Sequence, residues 1–166
     1  MRSRRIVIAL LAGFALLGGA TVGAPNATAA GPRYCEISGT AFINPGLSAT
    51  SRNFTNTFTG KFSNCQNGGK VKSATISESG KGKGGCSSAT TVGTAYVRWN
   101  TGQTSVISLK TSGVGNLLYV NGKFTSGLFK GSTAHAILAF QANPVQCETK
   151  AGVRTAKFNG LGQISG

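Results

Sequence analysis

"NFTNTFTGKF", residues 53–62, sets Phe54, Phe58 and Phe62 at even spacing and puts Asn53, Thr55, Thr57, Thr59 and Lys61 on the other face. Successive side chains of a β-strand point to opposite faces, so this stretch reads as a strand with an aromatic inner face and a polar outer one. The same alternation returns along the chain. "TAYVRW" sets Ala95, Val97 and Trp99 against Thr94, Tyr96 and Arg98, and Asn100-Thr101-Gly102 turns the chain into "QTSVISLK". "STAHAILAFQ" sets Ala134, Ala136, Leu138 and Phe140 against Thr133, His135, Ile137 and Gln141, and "VRTAKF" places Ala156 and Phe158 inward, with Arg154 at a margin. In "LLYVNGKF" the pair Asn121-Gly122 predicts a tight hairpin turn, because both residues tolerate positive φ. Helical spacing of apolar residues is sustained nowhere in this region, while Gly, Thr and Ser recur throughout. The expected fold is all-β: a single antiparallel β-sandwich or barrel of about seven to nine strands.

The chain begins differently. Arg2, Arg4 and Arg5 precede an apolar run from Ile6 to Leu17, and small residues end in Ala27-Thr28-Ala29. That order is the pattern of a secretory signal peptide, with cleavage expected after Ala29 or Ala30. The apolar run is short of the roughly 20 residues that a membrane span needs. Residues 1–29 are therefore expected to be removed, leaving one domain over residues 30–166, secreted, monomeric and without a membrane span. The whole chain carries a formal net charge of +14 and has no Asp, and loss of the three leader arginines leaves about +11. Such a charge favours polyanions, or serves solubility alone.

Cys35, Cys65, Cys86 and Cys147 all follow the leader. An even number of cysteines in an exported chain predicts two disulfides. No C-x-x-C pair occurs and the chain has a single His, so neither a metal site nor a cofactor is expected. Three pairings are open. The one favoured here joins Cys65 to Cys86 as a local loop and Cys35 to Cys147 across the ends of the domain.

"ESGKGKGG", residues 78–85, matches G-x-G-x-x-G at Gly80, Gly82 and Gly85. A dinucleotide fingerprint needs a helix after its glycines and an acidic residue about 20 positions on. Here "CSSATTVGTAYVRW" reads as a strand, and no Asp or Glu occurs between Glu78 and Glu148. The stretch is expected to be a basic, glycine-rich turn. Lys81 and Lys83, with Lys70 and Lys72 on the preceding strand, are candidates for a phosphate-binding basic edge, or for lysines that guard a sheet edge against aggregation. Tyr96 and Tyr119 are candidates for a stacking platform, whereas Trp99 reads as core.

Catalysis is the competing class. His135, the glutamates Glu36, Glu78 and Glu148, and the arginines Arg33, Arg52, Arg98 and Arg154 are the ingredients of ribonuclease-like acid–base chemistry, but no motif groups them. A serine–histidine–aspartate triad is excluded by the lack of Asp, and G-x-S-x-G is missing.

At "CEISGTAFINPGL", "FTGKFSNCQ", "GTAYVRWNTGQTS" and "AFQANPVQC" the chain resembles small secreted actinobacterial proteins that have no assigned function. The resemblance implies export, disulfides and a single all-β domain, and it carries no site residues over. The expected function is non-catalytic binding, with anionic extracellular polymers, cell-envelope components or another secreted protein as partners. The alternatives are a small secreted hydrolase built on His135, or a secreted protein inhibitor presenting Lys81–Gly85 or Asn44-Pro45-Gly46 as a rigid loop.

Overall fold

The computed structural model describes residues 33–166, so the leader and its cleavage site lie outside the described residues. Eight strands follow one another: β1 (Arg33–Leu47), β2 (Arg52–Gln66), β3 (Ala74–Gly84), β4 (Ser88–Trp99), β5 (Thr104–Val114), β6 (Leu117–Gly127), β7 (Thr133–Gln141) and β8 (Val153–Ser165). A 3₁₀ turn, Pro144–Glu148, precedes β8. Each strand pairs antiparallel with the next, and β1 returns to pair with β8 from Arg33↔Ile164 to Phe42↔Thr155, closing a barrel. The expectation of a sandwich or barrel thus resolves to an up-and-down barrel. A closed barrel has no edge strand, so the lysines of β3 guard no edge.

Three sequence expectations change. "ESGKGKGG" is no turn: β3 runs through Gly84, paired residue by residue with β2 (Asn56↔Gly80, Asn53↔Lys83) and with β4 (Gly80↔Gly93). Asn44-Pro45-Gly46 is likewise inside β1, so neither proposed inhibitor loop is a loop. Asn121-Gly122 sits mid-strand in β6, where Gly122 opposes Leu109. An alanine Cβ there would come within 2.6 Å of a Leu109 methyl, so the position holds glycine for space. The β5–β6 turn falls instead at Gly115-Asn116, with Gly115 at φ +59 and Val114 paired to Leu117.

The disulfides are Cys35–Cys65 and Cys86–Cys147, not the favoured pairing. The meander explains both: Cys35 and Cys65 meet where the start of β1 lies beside the end of β2, at one end of the barrel. Cys86, between β3 and β4, and Cys147, just before β8, meet at the other end.

Inward residues come from the predicted parity. Ala95, Val97 and Trp99 are almost fully buried, as is Phe124. Trp99 packs between Phe62 (centroids 5.8 Å) and Phe129 (5.2 Å), and Phe124 stacks edge-on against Phe129 (5.8 Å). These four rings plug the end that carries the Cys35–Cys65 bridge. Trp99 Nε1 donates to Ser105 Oγ at 2.9 Å, and that hydroxyl donates on to the Leu128 carbonyl at 2.5 Å. The indole is thereby buried without an orphaned N–H.

Candidate binding chamber in the barrel lumen

Above the aromatic plug the lumen is not filled. Small domains normally have one contiguous core, but here the buried apolar residues form three clusters. One is the plug, a second centres on Leu138 and Phe158, and a third gathers Ile43, Leu47, Phe54 and Val153 near the opposite end. Between them lies a cavity of about 180 Å³. Phe58, Leu109, Leu118, Val120 and Phe140 all belong to inward faces and line it, yet each is only half-buried. An inward apolar side chain that stays accessible is one facing a void. The lining continues to Gly85, Cys86, Ser88, Gly115 and Leu117, at the barrel end that carries the Cys86–Cys147 bridge.

Glycine makes this room. Phe58 lies over Gly39 and Gly60, where an added Cβ would sit 2.5 and 2.7 Å from its ring. The ring therefore rests flat on the wall instead of filling the middle. Its edge meets Phe158 (centroids 6.2 Å), which in turn meets Phe140 (5.2 Å), so one side of the chamber is aromatic.

One carboxyl enters this apolar space. Glu78 follows Ala74 and Ile76 on the inward face of β3 and lies opposite Phe58 on β2 and Ala95 on β4. Its side chain folds into a recess left by two glycines: a Cβ on Gly93 would come within 2.2 Å of Glu78 Oε1, and one on Gly80 within 2.6 Å. Glu78 Oε2 accepts from Asn56 Nδ2 at 2.8 Å. Asn56 Oδ1 is buried with no hydrogen-bond partner among the described residues. Burial pushes the Glu78 carboxyl up from 4.5 to about 7, and the Asn56 hydrogen bond opposes part of that rise. Near neutral pH the group is divided between acid and carboxylate. Among the chamber's lining residues the titratable side chains are Glu78 and His135, and His135 turns outward, its Nδ1 2.8 Å from Asn121 Oδ1.

The sequence candidates fall elsewhere. Lys81 and Lys83 point outward from β3, as the alternation around Glu78 requires, and Lys110 joins them on β5 because both Lys81 and Lys110 flank Val92. A shallow groove runs between these three lysines, Asn53 and Pro45. Lys70 and Lys72 lie in the β2–β3 connection, not on the preceding strand. Some nine residues of β3 separate them from Lys83, about 30 Å at strand rise, so no single basic edge forms. Tyr96 and Tyr119 are both exposed, at 60% and 41%. Tyr96 is level with Val106 and Tyr119 with Ser112, six residues up β5, which is about 20 Å. They do not build one platform.

The acid–base set is also dispersed. His135 is on the outer surface and Glu78 in the lumen, with the wall between them. Glu36 accepts from Asn64 Nδ2 at 2.9 Å and is two strands from His135, across β8. Glu148 ends the 3₁₀ turn.

Sequence reasoning counted Glu78 only among the possible catalytic acids. The signal for its place was the run Ala74, Ile76, Glu78, Gly80, Gly82 on one parity, which ending the strand before Gly80 concealed. No helix among the described residues is long and apolar enough to cross a membrane, a statement that does not bear on strands. Comparison with protein families, with curated proteins and with solved structures finds no match to this chain.

Proposed function

We propose that the protein is a non-catalytic binding protein whose barrel lumen holds one small, largely apolar ligand. Five inward apolar side chains that stay only partly buried around a cavity of about 180 Å³ carry this reading. Eight strands give a bore just wide enough to be filled by side chains or to hold one small ligand, and glycines at inward positions favour the second outcome. An apolar void of 150 Å³ takes a benzene-sized guest. Toluene is therefore expected to bind saturably, with a dissociation constant of about 1 mM or tighter, and to raise the melting temperature. Val120→Trp, which places an indole in the chamber, is expected to abolish both effects and leave the protein folded. Equal toluene binding by the two proteins would place the guest elsewhere and contradict the reading.

A second reading concerns the outer surface. The groove between Lys81, Lys83 and Lys110 supports attachment to an anionic extracellular polymer, and export to that environment accords with the two disulfides. Co-sedimentation with anionic cell-wall polymer is expected at low salt and lost near 1 M salt, where the screening length falls to about 3 Å. Joint replacement of these three lysines by Ala should weaken it several-fold. Undiminished sedimentation of the triple variant would remove the groove from consideration.

A further inference from the structure

We infer that the chamber takes a small amine, seated with its apolar body among Phe58, Phe140 and Phe158 and its ammonium on the carboxyl of Glu78. The inference rests on the lumen being a ligand chamber and adds the chemistry of the ligand.

An apolar lumen gains nothing in stability from a lone carboxyl, since burying a charge or an unpaired polar group is costly. Glu78 is nevertheless accommodated with some care: Gly80 and Gly93 together leave the recess that its Oε1 occupies. The opposite oxygen is held by Asn56, which fixes the carboxyl's position and leaves Oε1 without a hydrogen bond among the described residues. Asn56 presents a second acceptor, Oδ1, equally without a partner. An alanine Cβ at Gly80 would lie 2.6 Å from Glu78 Oε1 and 3.1 Å from Asn56 Oδ1, so the two acceptors converge on one spot of the wall. Asn56 Oδ1 is fully covered, so the acceptor open to the chamber is the Glu78 carboxylate, and it calls for a ligand with a donor.

Charge selects among donors. The one basic side chain of the lining, His135, faces outward onto Asn121, so no cation inside the chamber neutralises the carboxylate. The groups facing it from β2 and β4 are Asn56, Phe58, Gly93 and Ala95, none of which titrates. A ligand cation would supply the missing counter-charge, and a phenylalanine face beside the carboxylate adds the attraction of an aromatic quadrupole for ammonium. A ligand anion would meet like charge in a low-dielectric space. The volume restricts the body to a single ring or a short branched chain, by comparison with a void of about 150 Å³ that fits benzene.

Benzylamine and toluene share this body and differ in the ammonium, so the pair separates the two levels of the inference. Calorimetric titrations of the disulfide-intact protein at pH 8 are expected to give benzylamine an affinity at least tenfold above that of toluene. Glu78→Gln, nearly isosteric, is expected to erase that preference by bringing benzylamine down to the level of toluene, with far-UV circular dichroism reporting that the variant is folded. Lowering the pH from 8 to 6 protonates the carboxyl and leaves the amine charged, so benzylamine should weaken about tenfold as the ionised fraction falls, while toluene should not. Toluene binding as tightly as benzylamine would overturn the amine and leave the chamber standing. A benzylamine preference that survives Glu78→Gln would overturn the seat. Binding of neither compound would overturn the chamber itself.

Discussion

Trp99→Ala is expected to lower the unfolding free energy by about 3–5 kcal/mol, the range for removing a large buried aromatic side chain. Trp99 is 2% exposed, is the only tryptophan in the chain, and is the centre of the plug that Phe62, Phe124 and Phe129 complete. Its loss opens a void that the surrounding strands, fixed by ladder pairing on both sides, have little freedom to fill. It also takes the indole donor from Ser105 Oγ, a buried hydroxyl. Trp99→Phe keeps most of the ring volume and should cost distinctly less. Urea denaturation followed by far-UV circular dichroism, which does not depend on the missing fluorophore, reads both values. A cost below about 1 kcal/mol for Trp99→Ala, the level of ordinary surface changes, would mean that the plug does not carry the fold.

The second large effect is at the other end of the barrel. Replacing Cys86 and Cys147 by Ser together removes a link between positions 61 residues apart, worth about 4 kcal/mol on the chain-entropy model. The bridge does more than shorten the unfolded chain. Cys86 N donates to the Ser48 carbonyl at 2.9 Å and Ala49 N to the Cys147 carbonyl at 3.1 Å, so the bridge ties three connections into one structure beside the chamber's lining. The Cys35–Cys65 link spans 30 residues and joins strands that already pair with each other. Its removal should cost somewhat less and leave the chamber end unchanged. Hydrogen exchange distinguishes the two: faster exchange confined to residues 47–52, 85–88 and 143–152 is expected for the Cys86–Cys147 variant. Equal and diffuse exchange in both variants would argue against a local role for this bridge.

How much of this was legible in the sequence depends on side chains that mark a face. Phe54, Phe58 and Phe62, then Ala95, Val97 and Trp99, then Ala134, Ala136, Leu138 and Phe140, display their parity, and each proved inward. "ESGKGKGG" was not legible because glycine has no side chain with which to show inside from outside. The same property that made it read as a turn leaves the recess for Glu78 at Gly80 and the room for the Phe54 ring at Gly82. Asn121-Gly122 has the chemistry of a hairpin turn, yet the pairing of Leu109 with position 122 requires a small residue there, and packing overrode local preference. Closure of β1 on β8, and with it the pairing of the cysteines, depends on contacts between the two ends of the domain, which no local pattern encodes. Glu78 became a site residue only once closure turned its face into an interior.

Ligand binding inside the barrel requires an accessible lumen, and methyl NMR with toluene tests that directly. Spectra of protein with labelled Leu and Val methyls should show saturable shifts at Leu109, Leu118, Val120 and Leu138, which line the chamber, with Val114 and Val145 on the exterior unmoved. Unchanged lumen methyls at saturating toluene, or shifts confined to the exterior, would mean that the barrel is closed to ligands and would contradict the account.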